Sequence, residues 1–417
     1  MTQHTRSEPL ATSRPLHQLP RNVWAVTFTS LLTDISSEMV FHLLPLFLAN
    51  VLGVRTGVIG LIEGVAETTA SLLKVFSGWF SDKLGKRKWL AVFGYAISAV
   101  SKPFLALAAS WSAVLAVRFA DRVGKGVRNP PRDALVADSV DEHHRGLAFG
   151  VHRAGDTLGA LIGILIALLV VWFTQAGALT LAPQTFRTVV LISIIPAVLA
   201  VVTLSAVAHD VPVSDQRTAP RLALRGFDLR FQRFLAVVVL FTLGNSADAF
   251  LVLRAQERGL SVLGVLGMLA TFALVYALIS GPAGALSDRV GRRRLIAVGW
   301  LAYGLLYLGF ALAEAAWQIW VLYGLYGIYY GTVEGTARAY IADIVQETQR
   351  GTAYGLFNAA VGLAALPASL IAGLLWQGVG AWVGLGPRAP FFFGSGLALL
   401  ALILFVLWVP RRAAGGG

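Results

Sequence analysis

The chain has 417 residues, of which 56% are hydrophobic and only 13% are charged, and its formal net charge is +12. A soluble domain carries roughly 25% charged residues, so this composition excludes an ordinary soluble protein. The sequence contains no cysteine, which excludes disulfides, thiolate metal sites and a cysteine nucleophile.

Apolar stretches of about 20 residues recur along the whole chain, and this is the length needed to cross ~30 Å of hydrocarbon. The first stretch is too long for the core of a signal peptide, so we expect it to be an uncleaved span. We predict an all-α membrane protein with twelve transmembrane helices in two pseudo-symmetric six-helix bundles. The spans are predicted near 23–50, 57–80, 88–109, 111–137, 146–173, 186–207, 231–256, 260–284, 294–313, 317–342, 351–378 and 390–410.

The basic residues are concentrated in one set of loops, for example in 83–88 and 289–294. The positive-inside rule places such loops in the cytoplasm, so we expect an inner-membrane protein with both termini cytoplasmic. Membrane topology therefore explains the positive charge, and we expect no nucleic-acid partner. The predicted organisation is a cytoplasmic tail at 1–22, a six-helix bundle at 23–207, a cytoplasmic linker at 208–230, a second bundle at 231–410 and a tail at 411–417.

The two halves repeat each other. The segment GWFSDKLGKR at 78–87 matches GALSDRVGRR at 284–293, an offset of 206 residues. Further along, Ala137-Asp138 matches Ala342-Asp343 at an offset of 205 residues. Two matched landmarks at nearly one offset indicate six spans, a linker and six more spans in parallel orientation.

The repeated pattern Gly-x-x-x-Asp-(Lys/Arg)-x-Gly-(Lys/Arg)-(Lys/Arg) stands between the second and third spans of each half. It resembles the signature loop of the major facilitator superfamily. The resemblance implies a secondary transporter, not an enzyme, whose two bundles rock about a central cavity, and in that family this loop latches the cytoplasmic gate. We carry the gate role to the matching residues Gly78, Asp82, Gly85, Arg87, Gly284, Asp288, Gly291 and Arg292.

The fourth span carries Arg118, Asp121, Arg122 and Lys125. Each charge in a membrane costs at least ~2.5–3.5 kcal/mol on insertion scales, so such groups persist where they face water or each other. The three cations are spaced four and three residues apart and share a helical face. We expect this face to line the cavity, or alternatively to form a salt-bridge network with acids of neighbouring helices. The prolines at 130–131 are predicted to break or kink the helix.

Carboxyl groups stand on the spans that line the cavity in the family. The first span holds Asp34 and Glu38, and the seventh span holds Asp248. Burial raises the pKa of a carboxyl group and a nearby arginine lowers it. A carboxyl group held between these two effects can take up and release a proton. Asp34 or Glu38 is the predicted proton site, and a fixed ion pair with Arg122 or Lys125 is the alternative. An arginine of the fourth span is linked to proton coupling in the family, and either Arg118 or Arg122 can hold that role.

The fifth span has glycines four residues apart, which favours close helix packing. It resembles the antiporter signature of drug exporters, except that Ala160 stands where that signature has a proline. Arg153 and Asp156 of this span are predicted cavity residues, Arg153 nearer the gate and Asp156 paired with Arg122 or Lys125. The resemblance is to bacterial proton-coupled drug and metabolite exporters.

The sequence has no phosphate-binding loop, metal-ligand spacing or hydrolase pattern, so we expect no cofactor and no metal. The predicted function is proton-coupled export of a small anionic or amphipathic solute by a monomer in the lipid bilayer. Three alternatives remain open: an importer of an organic anion, a transporter-like sensor, and a lipid flippase.

Overall fold

The computed structural model describes residues 19–141, 144–211, 224, 226–346 and 349–409. Across these ranges the chain is helical, apart from turns and an isolated bridge in the loop near 380. Most of the predicted N-terminal tail, the predicted C-terminal tail and most of the predicted linker lie outside the described residues.

The helices form twelve spans, and we number them in chain order. The first and seventh spans each consist of shorter helices in series. The described spans are Arg21–Phe41 with Leu44–Leu46 and the π-helical turn Phe47–Val51, Thr56–Leu84, Arg87–Ala106, Trp111–Asp138, Arg145–Gln175, Pro183–Val207, Leu229–Gly244 with Ala249–Glu257, Val262–Val290, Arg292–Leu312, Ala316–Ile344, Arg350–Gln377 and Ala389–Trp408. The all-α prediction is confirmed, and the predicted spans agree with these helices to within a few residues.

Nine of the spans, counted over the described residues, are long and apolar enough to cross a membrane. The second, fourth and tenth spans are not among them. The second and fourth carry charged side chains in their middle thirds, and the tenth is rich in tyrosine and glycine. Lipid would not solvate the charged side chains of the second and fourth spans, so these groups lie against protein or water.

The spans pack in the same way in both halves. The first packs on the fifth and sixth, the second on the fourth, and the third on the fourth and sixth. The seventh packs in turn on the eleventh and twelfth, the eighth on the tenth, and the ninth on the tenth and twelfth. This repetition gives two pseudo-symmetric six-helix bundles, which meet where the second span packs on the eleventh and the fifth on the eighth.

The first and seventh spans are both interrupted near their middles. The first breaks at His42-Leu43, just before Pro45, and the seventh breaks over 245–248. The two breaks are related by the sequence repeat, since His42 and Asp248 are separated by the offset found in the repeated loop. A broken helix is tolerated at membrane depth where it lies against protein or a water-filled cavity.

The prolines at 130–131 do not break the fourth span, because one helix runs from Trp111 to Asp138, and the alternative of a kink stays a prediction. A proline inside a helix leaves the carbonyl four residues earlier without its usual donor. For Pro131 that carbonyl belongs to Val127, and the Ser77 hydroxyl of the second span donates to it at 2.9 Å. A neighbouring helix thus satisfies the group that the proline frees, and the helix continues.

The bundles are tightly joined at the end opposite the described termini. The Thr56 amide donates to Gln377 Oε1 at 2.7 Å, and its hydroxyl donates to the Gly373 carbonyl at 2.9 Å. The Val262 amide donates to the Ala178 carbonyl of the other bundle at 3.1 Å. These three bonds link the two halves, so this end of the protein is closed.

Gly60 is required for that closure. A Cβ atom at this position would lie 2.1 Å from the Ser369 carbonyl oxygen, whereas one at Gly57 on the same helix would lie at an ordinary 3.6 Å from a leucine methyl. We expect Gly60→Ala to push the second and eleventh spans apart and Gly57→Ala to leave them in place, because overpacking costs about 1–3 kcal/mol.

The readout is maleimide labelling of Val262→Cys, since this position is fully buried at the closed end and the chain has no other cysteine. In detergent, labelling should be several-fold faster in Gly60→Ala than in Gly57→Ala. Equal rates in the two variants would contradict the assignment.

Candidate functional site

A cavity of about 1440 Å³ lies between the bundles. Its wall includes Trp79, Gly351 and Tyr354, which stand near helix ends on the side of the described termini. At the other end the space is closed by a buried apolar core that includes Leu44 and Phe250. The cavity is therefore open to one side of the membrane only, as expected for one state of an alternating-access cycle.

The first bundle contributes a charged wall. Six of the residues predicted for the cavity do line it, one of them from the second bundle: Asp34, Glu38, Lys125, Arg153, Asp156 and Asp248. Asp34 is partly exposed, and its carboxylate makes no ion pair or hydrogen bond with any residue the structure describes. Glu38 differs, because it pairs with His42 at 2.7 Å.

Arg118, Asp121 and Arg122 do not line this cavity, in contrast to the expectation from the helical face. They are buried behind its wall, where Arg118 pairs with Glu63 at 2.7 Å and Arg122 pairs with Glu67 at 3.2 Å. Arg122 also lies 3.3 Å from Asp121. The alternative of a salt-bridge network describes these three residues, because acids of the second span pair with the arginines inside the bundle.

Phe41 supports this network. The guanidinium carbons of Arg118 and Arg122 lie 4.0 Å and 4.9 Å from the centre of its ring. Cations over an aromatic face gain electrostatic attraction, and more of it where water is excluded. The ring stands at the last residue before the break in the first span, directly before His42, which lines the inner end of the cavity.

Asp156 contacts neither Arg122 nor Lys125, contrary to expectation. The His152 ring, one turn away on the same helix, lies 3.7 Å from its carboxylate and pairs with it only when protonated. Arg153 extends across the cavity and donates to the Tyr276 hydroxyl of the other bundle at 3.0 Å. The fifth span thus joins the two bundles through Arg153.

The second bundle contributes a mainly aromatic wall. Phe272, Tyr276 and Tyr323 line the cavity, and the Phe272 ring contacts those of Tyr276 and Tyr323. Behind them a larger group of rings fills the bundle. Because charge is concentrated on one wall and aromatic surface on the other, the cavity fits a solute with a charged end and an apolar body.

The repeated loop forms a tight turn in each half. Gly85 and Gly291 have φ angles of 62° and 93°, which glycine adopts without strain. Arg87 pairs with Asp138 in the first half, and Arg292 pairs with Asp343 at 2.5 Å in the second. Both bonds link the start of the third helix of a half to the end of its fourth.

The structure describes the other predicted gate residues only in part. Gly78 packs against Pro130, with space for a Cβ atom only at 3.4 Å. Asp82, Gly284 and Asp288 belong to described helices, but the side chains of Asp82 and Asp288 and the contacts of Gly284 lie outside what the structure describes.

Sequence reasoning missed His42 and the partners of the buried arginines. His42 lines the inner end of the cavity beside Glu38. It also interacts electrostatically with Asp248 of the other bundle. The partners had a signal in the sequence, because Glu63 and Glu67 have the same four-residue spacing as Arg118 and Arg122. Matching i, i+4 pairs of opposite charge on two helices indicate a double ion pair between parallel faces.

Comparison with known proteins agrees with this architecture. The model of the Major Facilitator Superfamily matches residues 26–269 and 233–416. An uncharacterized MFS-type transporter of Methanocaldococcus jannaschii is 34% identical over 397 residues, covering 93% of this chain and 96% of that protein. Multidrug resistance protein 1 of Bacillus subtilis is 31% identical over 152 residues, covering 36% of this chain and 37% of that protein.

Among solved structures, a POT family transporter in complex with 5-aminolevulinic acid superposes with a TM-score of 0.78 at 13% identity, covering 95% of this chain and 98% of that one. At this identity the superposition speaks for the fold alone. The family model and the archaeal relative both extend over nearly the whole chain and agree with the two-bundle fold. The chain is a multi-pass membrane transporter of the major facilitator superfamily.

Proposed function

We propose that the protein exports a small anionic or amphipathic solute in exchange for protons by alternating access. The observation that carries the proposal is the division of the cavity into a charged wall with an unpaired carboxyl group and an opposing aromatic wall. Such a cavity offers a site for an acidic group, a surface for an apolar body and a carboxylate that can exchange protons.

Asp34 is the proposed proton site. It stands at mid-depth of the first span, touches the cavity and has Glu38 and Asp156 as its nearest acidic neighbours. A carboxyl group open to the cavity meets water from whichever side the cavity faces. Since no cation is bonded to Asp34 within the described part of the chain, its proton can be exchanged without breaking an ion pair.

The proposed topology and gate follow the family pattern. Both termini lie in the cytoplasm of an inner-membrane protein, so the open side of the cavity is the cytoplasmic side. The loops with Gly78, Asp82, Gly85 and Arg87 and with Gly284, Asp288, Gly291 and Arg292 form the gate at that mouth. The domain boundaries proposed from the sequence are those given above, and the working unit is a monomer.

Export is favoured by the partial match to Multidrug resistance protein 1 of Bacillus subtilis and by the glycine-rich fifth span. In that span Gly155, Gly159 and Gly163 approach the first span so closely that an added Cβ atom would lie 2.4–2.6 Å from its atoms. The close packing of the first and fifth spans joins Asp34, the proposed proton site, to the fifth span, which packs on the second bundle.

Proteoliposomes containing the pH dye pyranine test the proposal. With phthalate added outside, an antiporter should alkalinise the interior, because inward solute movement drives protons out, whereas a symporter should acidify it. Protein-free liposomes give the background. Solute uptake without any pH change would overturn proton coupling, and acidification would replace export by import.

A further inference from the structure

Three cations on the cavity wall stand without a bonded side-chain partner among the residues that the structure describes. Lys74 of the second span, Lys125 of the fourth and Arg338 of the tenth line the cavity. None of them makes an ion pair within 4.0 Å or a side-chain hydrogen bond to another residue that the structure describes. Lys74 and Lys125 are partly exposed and Arg338 is exposed.

Neighbouring arginines on the same wall, by contrast, have bonded side-chain partners. Arg128 donates to the Ser98 hydroxyl at 2.5 Å and lies over the Tyr95 ring. Arg132 pairs with Asp133 at 2.8 Å. Because a charge near the membrane interior normally has a partner, three unpartnered cations on one cavity require a separate explanation.

The three cations lie at increasing depth from the mouth. With about 1.5 Å of rise per residue, Arg338 is roughly 9 Å from the end of its helix, Lys74 roughly 15 Å and Lys125 roughly 20 Å. Glu38 and Asp248 lie deeper still, at about 25 Å and 28 Å by the same measure. An anion entering from the mouth therefore passes all three cations before it reaches Glu38 and Asp248 at the inner end.

The cations also belong to different bundles. Lys74 and Lys125 are in the first bundle and Arg338 is in the second, and the interactions of Lys74 with both of the others are repulsive. Repulsion between like charges grows as they approach in a medium of low dielectric constant. Closing the mouth of the empty cavity brings Arg338 towards Lys74, so the empty protein resists closure there.

We infer that Lys74, Lys125 and Arg338 form a binding site for a doubly charged anionic group, such as a phosphate monoester or paired carboxylates, and that occupancy permits the mouth to close. This inference rests on the proposed function and names the class of its substrate. A single negative charge leaves most of the repulsion in place, whereas a dianion placed between the bundles turns it into attraction.

The donors fit such a group. The Arg338 guanidinium can bind two oxygens of one group in a planar fork, and each lysine ammonium offers three donors. Across the cavity, Phe272 and Tyr276 provide aromatic surface for the body of the solute. An aromatic phosphate or dicarboxylate therefore meets complementary chemistry at both ends.

Binding of matched probes tests the site. The full chain in phosphatidylcholine nanodiscs is titrated with phenyl phosphate, phthalate and benzoate, which share a ring and differ in charge. We expect the two dianions to bind at least tenfold more tightly than benzoate. Arg338→Gln and Lys74→Gln should each remove most of this preference, while Arg388→Gln, at a loop position whose partner is the exposed Glu314, should keep it. Equal affinities for benzoate and the dianions would overturn the inference.

Nanodiscs that contain phosphatidate identify the source of the anion. If the natural ligand is a lipid headgroup, phosphatidate should compete with phenyl phosphate. If it is a soluble solute, affinity for phenyl phosphate should be unchanged. Either result requires the dianion site, and failure of phenyl phosphate to bind in both kinds of nanodisc would overturn it.

A conformational readout separates the site from a merely structural role. Thr352 lines the mouth, so maleimide labelling of Thr352→Cys reports its accessibility. Phenyl phosphate should slow labelling several-fold in the otherwise unchanged chain. In the Arg338→Gln background, labelling should already be slow without ligand and insensitive to it, because the repulsion has been removed. Rapid labelling that no probe affects in either background would contradict the closure mechanism.

The outcomes are independent of the proton-coupling test. Loss of the dianion preference with intact proton exchange would remove this site and leave the proposed transport. Loss of proton exchange with an intact dianion preference would remove the coupling and leave the site.

Discussion

Asp34→Asn should abolish solute movement driven by a pH gradient while leaving solute exchange intact. Asparagine preserves the size and polarity of the side chain but cannot release a proton. Asp34 has no bonded partner among the described residues, so the substitution breaks no ion pair and should leave folding unaffected. In proteoliposomes we expect gradient-driven phthalate flux to fall at least 100-fold, with counterflow exchange retained at a pH equal on both sides.

Asp133→Asn is the matched control. Asp133 lines the same cavity but is bonded to Arg132. Its variant should keep gradient-driven flux, because the proposed proton site is unchanged. If Asp34→Asn retained gradient-driven flux, or if both variants lost counterflow as well, the assignment of the proton site would be wrong.

Glu63→Gln should strongly destabilise the protein. Glu63 pairs with Arg118, and both side chains are less than a tenth exposed. Removing one partner of a buried pair leaves a charge without compensation and costs about 3–5 kcal/mol. We expect a large fall in the apparent melting temperature of the purified protein in detergent, and a loss of folded protein if its margin of stability is small.

A second substitution tests whether the unpaired charge is the cause. Combining Glu63→Gln with Arg118→Met removes both charges and should recover most of the lost stability, because apolar replacement of a buried pair is often neutral. Glu314→Gln serves as control. Glu314 pairs with Arg388, and its side chain is 77% exposed. Exposed ion pairs contribute about 0–1 kcal/mol to stability, so this substitution should change the melting temperature little. A double variant as unstable as Glu63→Gln alone would show that packing, not charge, sets the cost.

The breaks in the first and seventh spans show the limit of sequence reasoning about the cavity. The sequence predicted continuous helices there, since hydropathy does not distinguish a helix from one interrupted at mid-depth. His42 is an unremarkable residue in the sequence, yet the break places it beside Glu38 and opposite Asp248. Its position depends on packing between bundles, which no local pattern encodes.

The sequence by itself determined the class and the layout of the protein. Its apolar stretches matched the thickness of a bilayer, and the repeat at 78–87 and 284–293 required two equivalent halves. The apolar stretches can be read locally, because every backbone N–H and C=O group in lipid must form its hydrogen bond within its own helix.

Only the tertiary structure decided which charges meet. Arg118 and Lys125 lie on one helix face, seven residues apart, yet Arg118 is paired with Glu63 inside the bundle and Lys125 stands on the cavity wall. Helical periodicity gives the direction of a side chain relative to its own helix. Whether that direction leads to a neighbouring carboxylate or to water depends on how the helices pack, and for a charge in a membrane that difference separates a structural ion pair from a group free to bind solute.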